Sequence, residues 1–315
     1  MANYITIDGG TTNTRISLVM DGTIADTIKL HIGAKCNTDG NHEYKKQIKN
    51  GISKLLADNK TDENSIDCIL CSGMITSEYG LCRVPHTDVP CGIRELHNTM
   101  YKTNIEDISP LPFVFIRGVK ADCSTPQSAD MMRGEETELA GIAEDAESEC
   151  LYVLPGSHSK LIYTDSQGRI CNFHTEFTGE LIEAVAKNTI LKDIIVLDDS
   201  GFDTECLQSG YEFCSSKGIN AAFFKVRTLK TLFGYSPLQC TSFFIGAALC
   251  SEINNIIKSD ADKVVIGGKN ELKLPMEYLI KNNSDKEVVC IDEKTSANAA
   301  AYGAIKIYEY KENVL

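Results

Sequence analysis

The stretch Ile7-Asp8-Gly9-Gly10-Thr11-Thr12-Asn13-Thr14-Arg15 joins two short apolar strands near the start of the chain. Its glycines allow the backbone to approach a phosphate closely, and its N–H groups and threonine hydroxyls can donate to the phosphate oxygens. The acid before the glycines, which a plain hairpin does not need, can hold Mg²⁺ through water. The arginine can add positive charge at a phosphate or a substrate. The loop therefore predicts a nucleotide site that uses Asp8 for the metal, Gly9, Gly10, Thr11 and Thr12 for the nucleotide, and Arg15 for the substrate.

The order of elements around this loop recurs half a chain later. Strands predicted at 4–7, 14–20 and 23–30, the last two joined by the turn Asp21-Gly22, are matched by strands at 151–154, 160–164 and 169–174. With two copies only, chance is an alternative to duplication. The pattern predicts two α/β lobes, an N-terminal one at residues 1–148 and a C-terminal one at 149–315, with a cleft between them.

The loop of the second set reads Pro155-Gly156-Ser157-His158-Ser159-Lys160. We expect Gly156, Ser157 and Ser159 to contact the nucleotide phosphates, because they supply the same donors as the first loop. A lone loop histidine is more often an ordinary surface residue, but at this place His158 is predicted to contact the substrate or a phosphate. Two such loops that close on one nucleotide would exclude water and couple binding to a hinge motion.

A glycine pair follows the predicted buried strand at 264–266. Gly267 and Gly268 would let an adenine and a ribose lie against bare backbone, and the pair comes third in the order expected of a nucleotide site. The sequence has no GxxxxGK[ST] stretch and no GxGxxG after a strand, so neither a P-loop nor a Rossmann site is indicated. The nucleotide prediction therefore depends on the hairpin loops.

The other segments are mostly helical. Apolar periodicity predicts helices at about 43–58, 179–192, 203–216, 220–233, 237–257 and 296–310, and a charged helix from about 131 to 146. Residues 73–112, rich in Gly, Pro and short polar elements, are interpreted as an insertion over the cleft rather than as part of a sheet. The apolar surplus at 220–250 is explained about equally well by a homodimer interface and by a buried core.

Composition limits the partners. The net charge of −13 repels phosphate backbones and anionic lipid surfaces, so neither nucleic acid nor a membrane is expected as a partner. The thirteen cysteines are scattered, with no signal peptide and no apolar run of about 20 residues, which indicates a reducing cytoplasm. Cys68 and Cys71 have CxxC spacing within a predicted strand and no second such pair, which favours core packing over a metal site.

Five stretches together resemble the 2-dehydro-3-deoxygalactonokinase family, within the superfamily of sugar kinases, heat-shock ATPases and actin. These stretches are residues 7–15, 72–77, 132–137, 154–160 and 173–181. The resemblance implies an actin-like ATPase fold of two ribonuclease H-like lobes. It implies transfer of the γ-phosphate of ATP, with Mg²⁺, to the 6-hydroxyl of a 2-keto-3-deoxy sugar acid. From the second stretch, Met74 is assigned to the substrate.

Phosphoryl transfer to a hydroxyl needs a carboxylate that accepts the hydroxyl proton. The candidates are Asp130, Glu135 and Glu136 around the start of the mid-chain helix, and Glu180 in Thr178-Gly179-Glu180. Acidic side chains in a first turn are also explained by the helix dipole, which they meet favourably by about 0.3–1 kcal/mol. Arg133 can hold a substrate carboxylate through two hydrogen bonds, which favours 130–136 for catalysis and assigns Glu180 to the substrate.

Two other functions are open on the sequence alone. One is a kinase for another small hydroxy compound, such as an amino sugar or pantothenate. The other is a non-catalytic ATP-binding switch of actin type, which would keep the phosphate loops and lose the acid and the substrate pocket. The cluster at 133–136 and the segment 73–97 favour an enzyme.

Overall fold

The chain folds into two compact units. The structure, a computed structural model, describes residues 2–34, 41–143, 149–198 and 201–311. Unit 1 is Met1–Glu147, Gly168–Asn172 and Ala297–Leu315, and unit 2 is Ser148–Gln167 and Phe173–Ser296. The sequence predicts a single boundary, between residues 148 and 149, whereas two later segments, Gly168–Asn172 and Ala297–Leu315, belong to unit 1. The periodicity of a strand or helix does not tell which core it packs against, so this return is not visible in the sequence.

The secondary structure alternates strands and helices along the chain. The strands are β1 (Tyr4–Gly9), β2 (Thr14–Met20), β3 (Thr23–Leu30), β4 (Cys68–Gly73), β5 (Thr87–Asp88), β6 (Tyr101–Ile105), β7 (Ser109–Phe115), β8 (Val119–Lys120), β9 (Met131–Met132), β10 (Leu151–Leu154), β11 (Ser159–Thr164), β12 (Ile170–Glu176), β13 (Lys263–Ile266) and β14 (Glu287–Cys290). The helices are α1 (His42–Asp58), α2 (Ile93–Thr99), α3 (Glu135–Ile142), α4 (Thr178–Asn188), α5 (Thr204–Lys217), α6 (Ile219–Phe233), α7 (Pro237–Lys258), α8 (Asn270–Asn283) and α9 (Glu293–Tyr308).

The two large sheets repeat one topology. Their strand orders are β3-β2-β1-β4-β7-β6 and β12-β11-β10-β13-β14. In the first, β1 pairs antiparallel with β2 and parallel with β4, and β4 pairs parallel with β7. In the second, β10 pairs antiparallel with β11 and parallel with β13, which pairs parallel with β14. Apart from the extra edge strand β6, the sheets match, and the predicted repeat of the strand order is confirmed.

The interpretation of 73–112 as an insertion outside the sheet is wrong for its second half. Strand β6 pairs antiparallel with β7, which begins at Ser109 and lies beside β4 in the main sheet. The sequence of β6, YKTNI, has no buried residue and therefore no apolar alternation to reveal a strand. Edge strands are often polar, since one side of their backbone faces solvent.

The charged mid-chain helix is shorter than predicted. Met131 and Met132 form β9, which pairs with β8, and α3 starts only at Glu135. The preceding Gly134 has a φ of +117°, a conformation that ends the strand and that side chains other than glycine rarely adopt. The helix ends at Ile142, and the predicted continuation over 144–146 lies outside the described residues.

Each unit has its own apolar core. In unit 1, α1 buries Tyr44, Ile48 and Ile52 beneath the first sheet. In unit 2, α7 is the central helix, and Phe244, Leu249 and other residues of it are fully buried. Helix α7 is long and apolar enough to cross a membrane, but 72% of its most apolar window is buried inside the protein. Its apolarity is therefore that of a core helix.

The predicted core role of the CxxC pair is confirmed. Cys68 and Cys71 are both buried in β4, the strand beside β1. Burial raises the pKa of the Cys68 thiol to about 11 and that of Cys71 well above its ordinary value. Both thiols are therefore protonated at neutral pH and pack as small apolar groups.

Candidate functional site

The first phosphate loop lies at the carboxyl end of β1. Strand β1 ends at Gly9 and β2 begins at Thr14, with Asp8 opposite Arg15 in the ladder. The Gly10 N–H donates to the Asn13 carbonyl at 2.8 Å, which closes the loop. Thr11 and Thr12 are exposed, and Asp8 is 34% exposed, so these polar groups are accessible to a ligand.

Three glycines bring the elements around this loop into backbone contact. A Cβ on Gly9 would lie 2.8 Å from Ile75 Cβ, and one on Gly73, where φ is +79°, would lie 2.5 Å from the Gly9 carbonyl oxygen. A Cβ on Gly134 would lie 3.1 Å from Gly73 Cα. The ends of β1 and β4 and the start of α3 therefore meet closely. This packing requires glycine at position 9, whatever that residue does for a phosphate.

The first turn of α3 carries two of the predicted catalytic acids. Glu136 is 1% exposed, and its carboxylate accepts from the Gly134 N–H at 2.8 and 3.0 Å and from the Thr137 hydroxyl at 2.9 Å. Burial, followed by the Glu135 charge, raises the pKa of Glu136 to about 7. Glu135 accepts from the Arg133 N–H at 2.9 Å. The Glu136 carboxylate is therefore engaged at the start of its own helix.

A third acid of α3, Glu138, belongs to the same cluster, and sequence reasoning missed it. Burial raises the pKa of Glu138 to about 8, and the charges of Asp8 and Glu135 add to this effect. The pKa of Asp8 is also raised, by burial and by Glu135, while Arg15 opposes the shift. The Arg15 NH1 atom lies 3.9 Å from Asp8 Oδ2. Glu135 and Glu138 are three residues apart and therefore lie on one face of the helix, and this spacing in the sequence could have revealed Glu138 as a member of the cluster.

The guanidinium of Arg133 binds a neighbouring loop. Its NH1 donates to the carbonyl oxygen and the hydroxyl of Thr76, at 3.0 and 2.6 Å, and its NH2 donates to the Val84 carbonyl at 3.2 Å. Thr76 ends the short 3₁₀ turn Met74–Thr76, which follows β4 directly. Arg133 therefore fixes the turn that carries Met74.

Asp130 lies at the base of the β8–β9 hairpin. Its carboxylate accepts from the next residue's N–H, that of Met131, at 2.7 Å, and its carbonyl accepts from Ala121 at 2.9 Å. Four residues separate it from the start of α3, and it directly precedes β9 of the small sheet. Asp130 therefore lies on a different element from Asp8 and the acids of α3.

In unit 2, the second phosphate loop connects β10 to β11 and contacts the start of α4. His158 Nε2 lies 2.7 Å from Glu180 Oε2, and the His158 ring stacks on Phe177. The Glu180 N–H donates to the Ser157 carbonyl at 3.0 Å. A Cβ on Gly179 would lie 2.1 Å from the Gly156 carbonyl oxygen. The structure thus brings the predicted residues His158 and Glu180 together.

The predicted adenosine glycines border this second loop. The Gly267 N–H donates to the Val153 carbonyl at 2.9 Å. Gly268 has a φ of +75°, and a Cβ there would lie 3.0 Å from the Pro155 carbonyl oxygen. The glycine pair therefore contacts the start of the loop that holds Gly156 and Ser157.

A buried acid on α7 lies below the second loop. Glu252 is 0% exposed, and its Oε2 accepts from the Thr178 hydroxyl at 2.8 Å. Its Oε1 is buried without a hydrogen-bond partner among the described residues. Burial raises the pKa of Glu252 to about 8, although the Thr178 and Ser159 hydroxyls oppose the shift. Ser159 lies near enough for this effect but outside hydrogen-bonding geometry.

Comparison with known proteins identifies the family. A model of the 2-keto-3-deoxy-galactonokinase family matches residues 8–304. The chain belongs to this family. It is 27% identical to the 2-dehydro-3-deoxygalactonokinase of Escherichia coli (strain K12) over 257 residues, a stretch that covers 80% of each of the two chains.

Solved structures show the same fold. A Sinorhizobium meliloti protein that carries a provisional 2-dehydro-3-deoxygalactonokinase name superposes with a TM-score of 0.77 at 20% identity, over 98% of this chain and all of the other. A ligand-bound xylulose kinase from Lactobacillus acidophilus superposes with a TM-score of 0.52 at 11% identity, over 98% and 89% of the two chains. The predicted fold of two ribonuclease H-like lobes is confirmed. The chain is a carbohydrate kinase of the 2-keto-3-deoxy-galactonokinase family, as the sequence motifs predicted, and uses ATP to phosphorylate a sugar acid.

Proposed function

We propose that this kinase transfers the γ-phosphate of MgATP to the 6-hydroxyl of 2-dehydro-3-deoxy-D-galactonate. The observation that carries the proposal is the family match over residues 8–304, which includes both phosphate loops and the acids of α3. The accessible loop of Asp8, Thr11 and Thr12 supports it, since phosphoryl transfer needs donors and a metal at the γ-phosphate. A kinase for an amino sugar or pantothenate and a non-catalytic switch are left as outcomes of the test below.

In unit 1, the loop after β1 is assigned to the nucleotide phosphates and the metal. Gly10, Thr11 and Thr12 would contact the phosphates, and Asp8 would hold Mg²⁺. The metal would neutralise charge on the transferred phosphoryl group. Burial, and then the charge of Glu135, raise the pKa of Asp8. This supports the assignment, because a nearby cation favours the ionised form of such a carboxyl. Arg15 adds positive charge beside Asp8.

We assign the general base to Glu135. Both oxygens of Glu136 accept from the Gly134 N–H, so that group serves the helix start. Glu138, with a pKa of about 8, is largely uncharged at neutral pH and is suited to donating a hydrogen bond. Asp130 stays a prediction. Arg133 positions the turn of Met74, which we assign to the substrate.

In unit 2, the second loop and the glycine pair are assigned to the nucleotide. Gly156 and Ser157 contact phosphate, and the backbone of 267–268 contacts adenosine. Ser159 is 0% exposed and faces Glu252, so the phosphate contact predicted for it is not assigned. The contact of Gly268 with Pro155 supports this grouping. The His158–Glu180 pair is assigned to the substrate.

We infer that the enzyme works in the cytoplasm and binds neither nucleic acid nor membranes. The net charge of −13 supports this inference. Phe224, Leu232 and Phe233 of α6 are 59%, 73% and 66% exposed. Their exposure supports a homodimer, which sedimentation velocity would test directly.

An ADP-release assay at fixed MgATP tests the proposed reaction. The panel holds 2-keto-3-deoxy sugar acids, hexonates, neutral hexoses, amino sugars and pantothenate. We expect Mg²⁺-dependent turnover with 2-dehydro-3-deoxy-D-galactonate and a product phosphorylated at carbon 6. Turnover confined to an amino sugar or pantothenate, or ATP binding without turnover of any compound, would contradict the proposal.

Replacing Gly179 by alanine is expected to weaken ATP use. The added Cβ would overlap the Gly156 carbonyl, 2.1 Å away, and push α4 off the second phosphate loop. We expect the KM for ATP to rise about 10-fold or more, since misplacement by about 1 Å costs up to about 10²-fold in rate. Steady-state kinetics with varied ATP measures the change.

Gly246→Ala is the matched control for Gly179→Ala. Its Cβ would overlap the Leu207 carbonyl at 2.0 Å, a similar clash between α7 and α5 of the same unit. We expect this variant to lower stability and leave the KM for ATP unchanged. Equal KM values for the two variants would show that α4 does not position the loop.

A further inference from the structure

Arg117 follows directly after β7, one of the parallel strands of the first sheet. The Ile116 N–H donates to the Cys71 carbonyl at 2.9 Å, which continues the pairing of β7 with β4. Because β1, β4 and β7 are parallel, their carboxyl ends lie at one edge of the sheet. Ligands of α/β sheets bind outside this edge. Arg117 thus stands at the edge that carries Asp8 and Gly73.

Gly118 fixes the neighbourhood of Arg117. A Cβ on Gly118 would lie 2.4 Å from the Met132 carbonyl oxygen and 3.2 Å from Arg133 Cα. The backbone after Arg117 therefore packs on the residues that lead into α3. The arginine lies close in space to the start of the helix that carries Glu135.

The side chain of Arg117 is half-buried and incompletely satisfied. Its Nε is buried and has no hydrogen-bond partner among the described residues. Arg133, by contrast, donates to two backbone carbonyls. Buried donors without an acceptor are rare in native proteins. Within the part of the chain that the structure describes, the Nε atom of Arg117 therefore lacks the acceptor that such a donor usually has.

The substrate class supplies that acceptor. A 2-keto acid presents a carboxylate at carbon 1, and the fork of a guanidinium matches a carboxylate through two hydrogen bonds. The net charge of −13 and the acids Asp8 and Glu135 repel such an anion, so a local cation is needed to hold it. Resting on the proposed function, we propose that Arg117 binds the carboxylate of the sugar acid and makes the enzyme prefer acids over neutral sugars.

Calorimetric titration of the full-length protein and steady-state kinetics test this role. The variants are Arg117→Met and Arg117→Lys, with Arg227→Met, at an exposed position of α6, as the control. The ligands are 2-dehydro-3-deoxy-D-galactonate and its neutral carboxamide. We expect Arg117→Met to weaken binding of the acid by about 30-fold or more, as loss of one partner of a charge pair does. The carboxamide, the KM for ATP and the unfolding temperature should change little.

The lysine variant and the control make the result specific. Arg117→Lys should recover part of the affinity for the acid but not all of it, because an ammonium cannot form the two-bonded fork. Arg227→Met should bind like the parent protein. Unchanged selectivity between acid and carboxamide in Arg117→Met, or parallel losses for the acid, the carboxamide and ATP, would overturn the inference.

Failure of this inference differs from failure of the proposed function. If the parent protein binds and phosphorylates the acid while Arg117→Met behaves identically, only the role of Arg117 is wrong. If the parent protein neither binds nor turns over any sugar acid, the proposed function is wrong as well.

Discussion

Asp8→Asn is expected to lower kcat/KM about 10²–10³-fold, the usual cost of removing one preorganised charged or hydrogen-bonding group from a transition state. Asparagine keeps the size of the side chain but loses the charge that we assign to holding Mg²⁺. The fold should survive, because the side chain is 34% exposed and its one ion pair with another described residue is a long contact with Arg15, at 3.9 Å. The unfolding temperature should stay equal or rise, since burial and Glu135 raise the pKa of Asp8 and thus disfavour its ionised form.

Asp107→Asn is the control for the Asp8 prediction. Asp107 is exposed in the turn between β6 and β7, at the amino end of β7, which is the opposite edge of the sheet. We expect no change in kcat/KM for this variant. If Asp8→Asn kept full activity over a range of Mg²⁺ concentrations, the metal role of Asp8 would be wrong.

Glu252→Gln is expected to stabilise the protein by about 3 kcal/mol at pH 7. The folded-state pKa of about 8 lies above the ordinary value of 4.5, so the unfolded chain releases this proton first. The contribution of this protonated group to the free energy of unfolding is fully present below pH 4.5. Between pH 4.5 and about 8, the free energy of unfolding falls by about 1.4 kcal/mol per pH unit. Glutamine removes the ionisation and still accepts from the Thr178 hydroxyl. The gain should therefore be small at pH 5 and largest near pH 8.

Urea unfolding at pH 5, 7 and 8 measures the Glu252 effect. Glu212→Gln is the matched control, because Glu212 is exposed on α5 of the same unit and accepts only from the side chain of Gln208 among the described contacts. Its stability should follow that of the parent at every pH. A Glu252→Gln variant that is less stable than the parent at pH 8 would show that the carboxyl is ionised and paired in the folded protein.

The parts of the site that the sequence predicted have signals within a few residues. The loop of 8–15 holds its acid, glycines, threonines and arginine within eight consecutive residues. The spacing of apolar residues predicted the bounds of α1, α5, α6 and α7 to within about two residues. The repeated order of strand, loop and strand predicted the matching sheets. These features depend on local conformation, which a short window of sequence contains.

The parts that were missed depend on contacts between distant segments. Glu138 joins the cluster only because Gly9, Gly73 and Gly134 let β1, β4 and α3 approach. Arg133 was predicted to bind a carboxylate, and only the fold shows that carbonyls of Thr76 and Val84 lie within its reach. Whether an arginine finds its acceptor inside the protein cannot be decided from its neighbours in sequence.

The path of α9 bears on how the protein is made. The first residues of the helix belong to unit 2, and from Ala297 onward it belongs to unit 1. There it packs closely on α3: a Cβ on Gly303 would lie 1.8 Å from the Thr137 carbonyl oxygen, and a Cβ on Gly141 would lie 1.9 Å from the Ala299 carbonyl oxygen. As the ribosome releases the chain from its amino end, unit 1 is synthesised first, yet its packing is finished only when α9 has emerged. Nearly all of unit 2 is available before that moment. Unit 1, most of which is synthesised before unit 2, is thus the unit that completes its folding last.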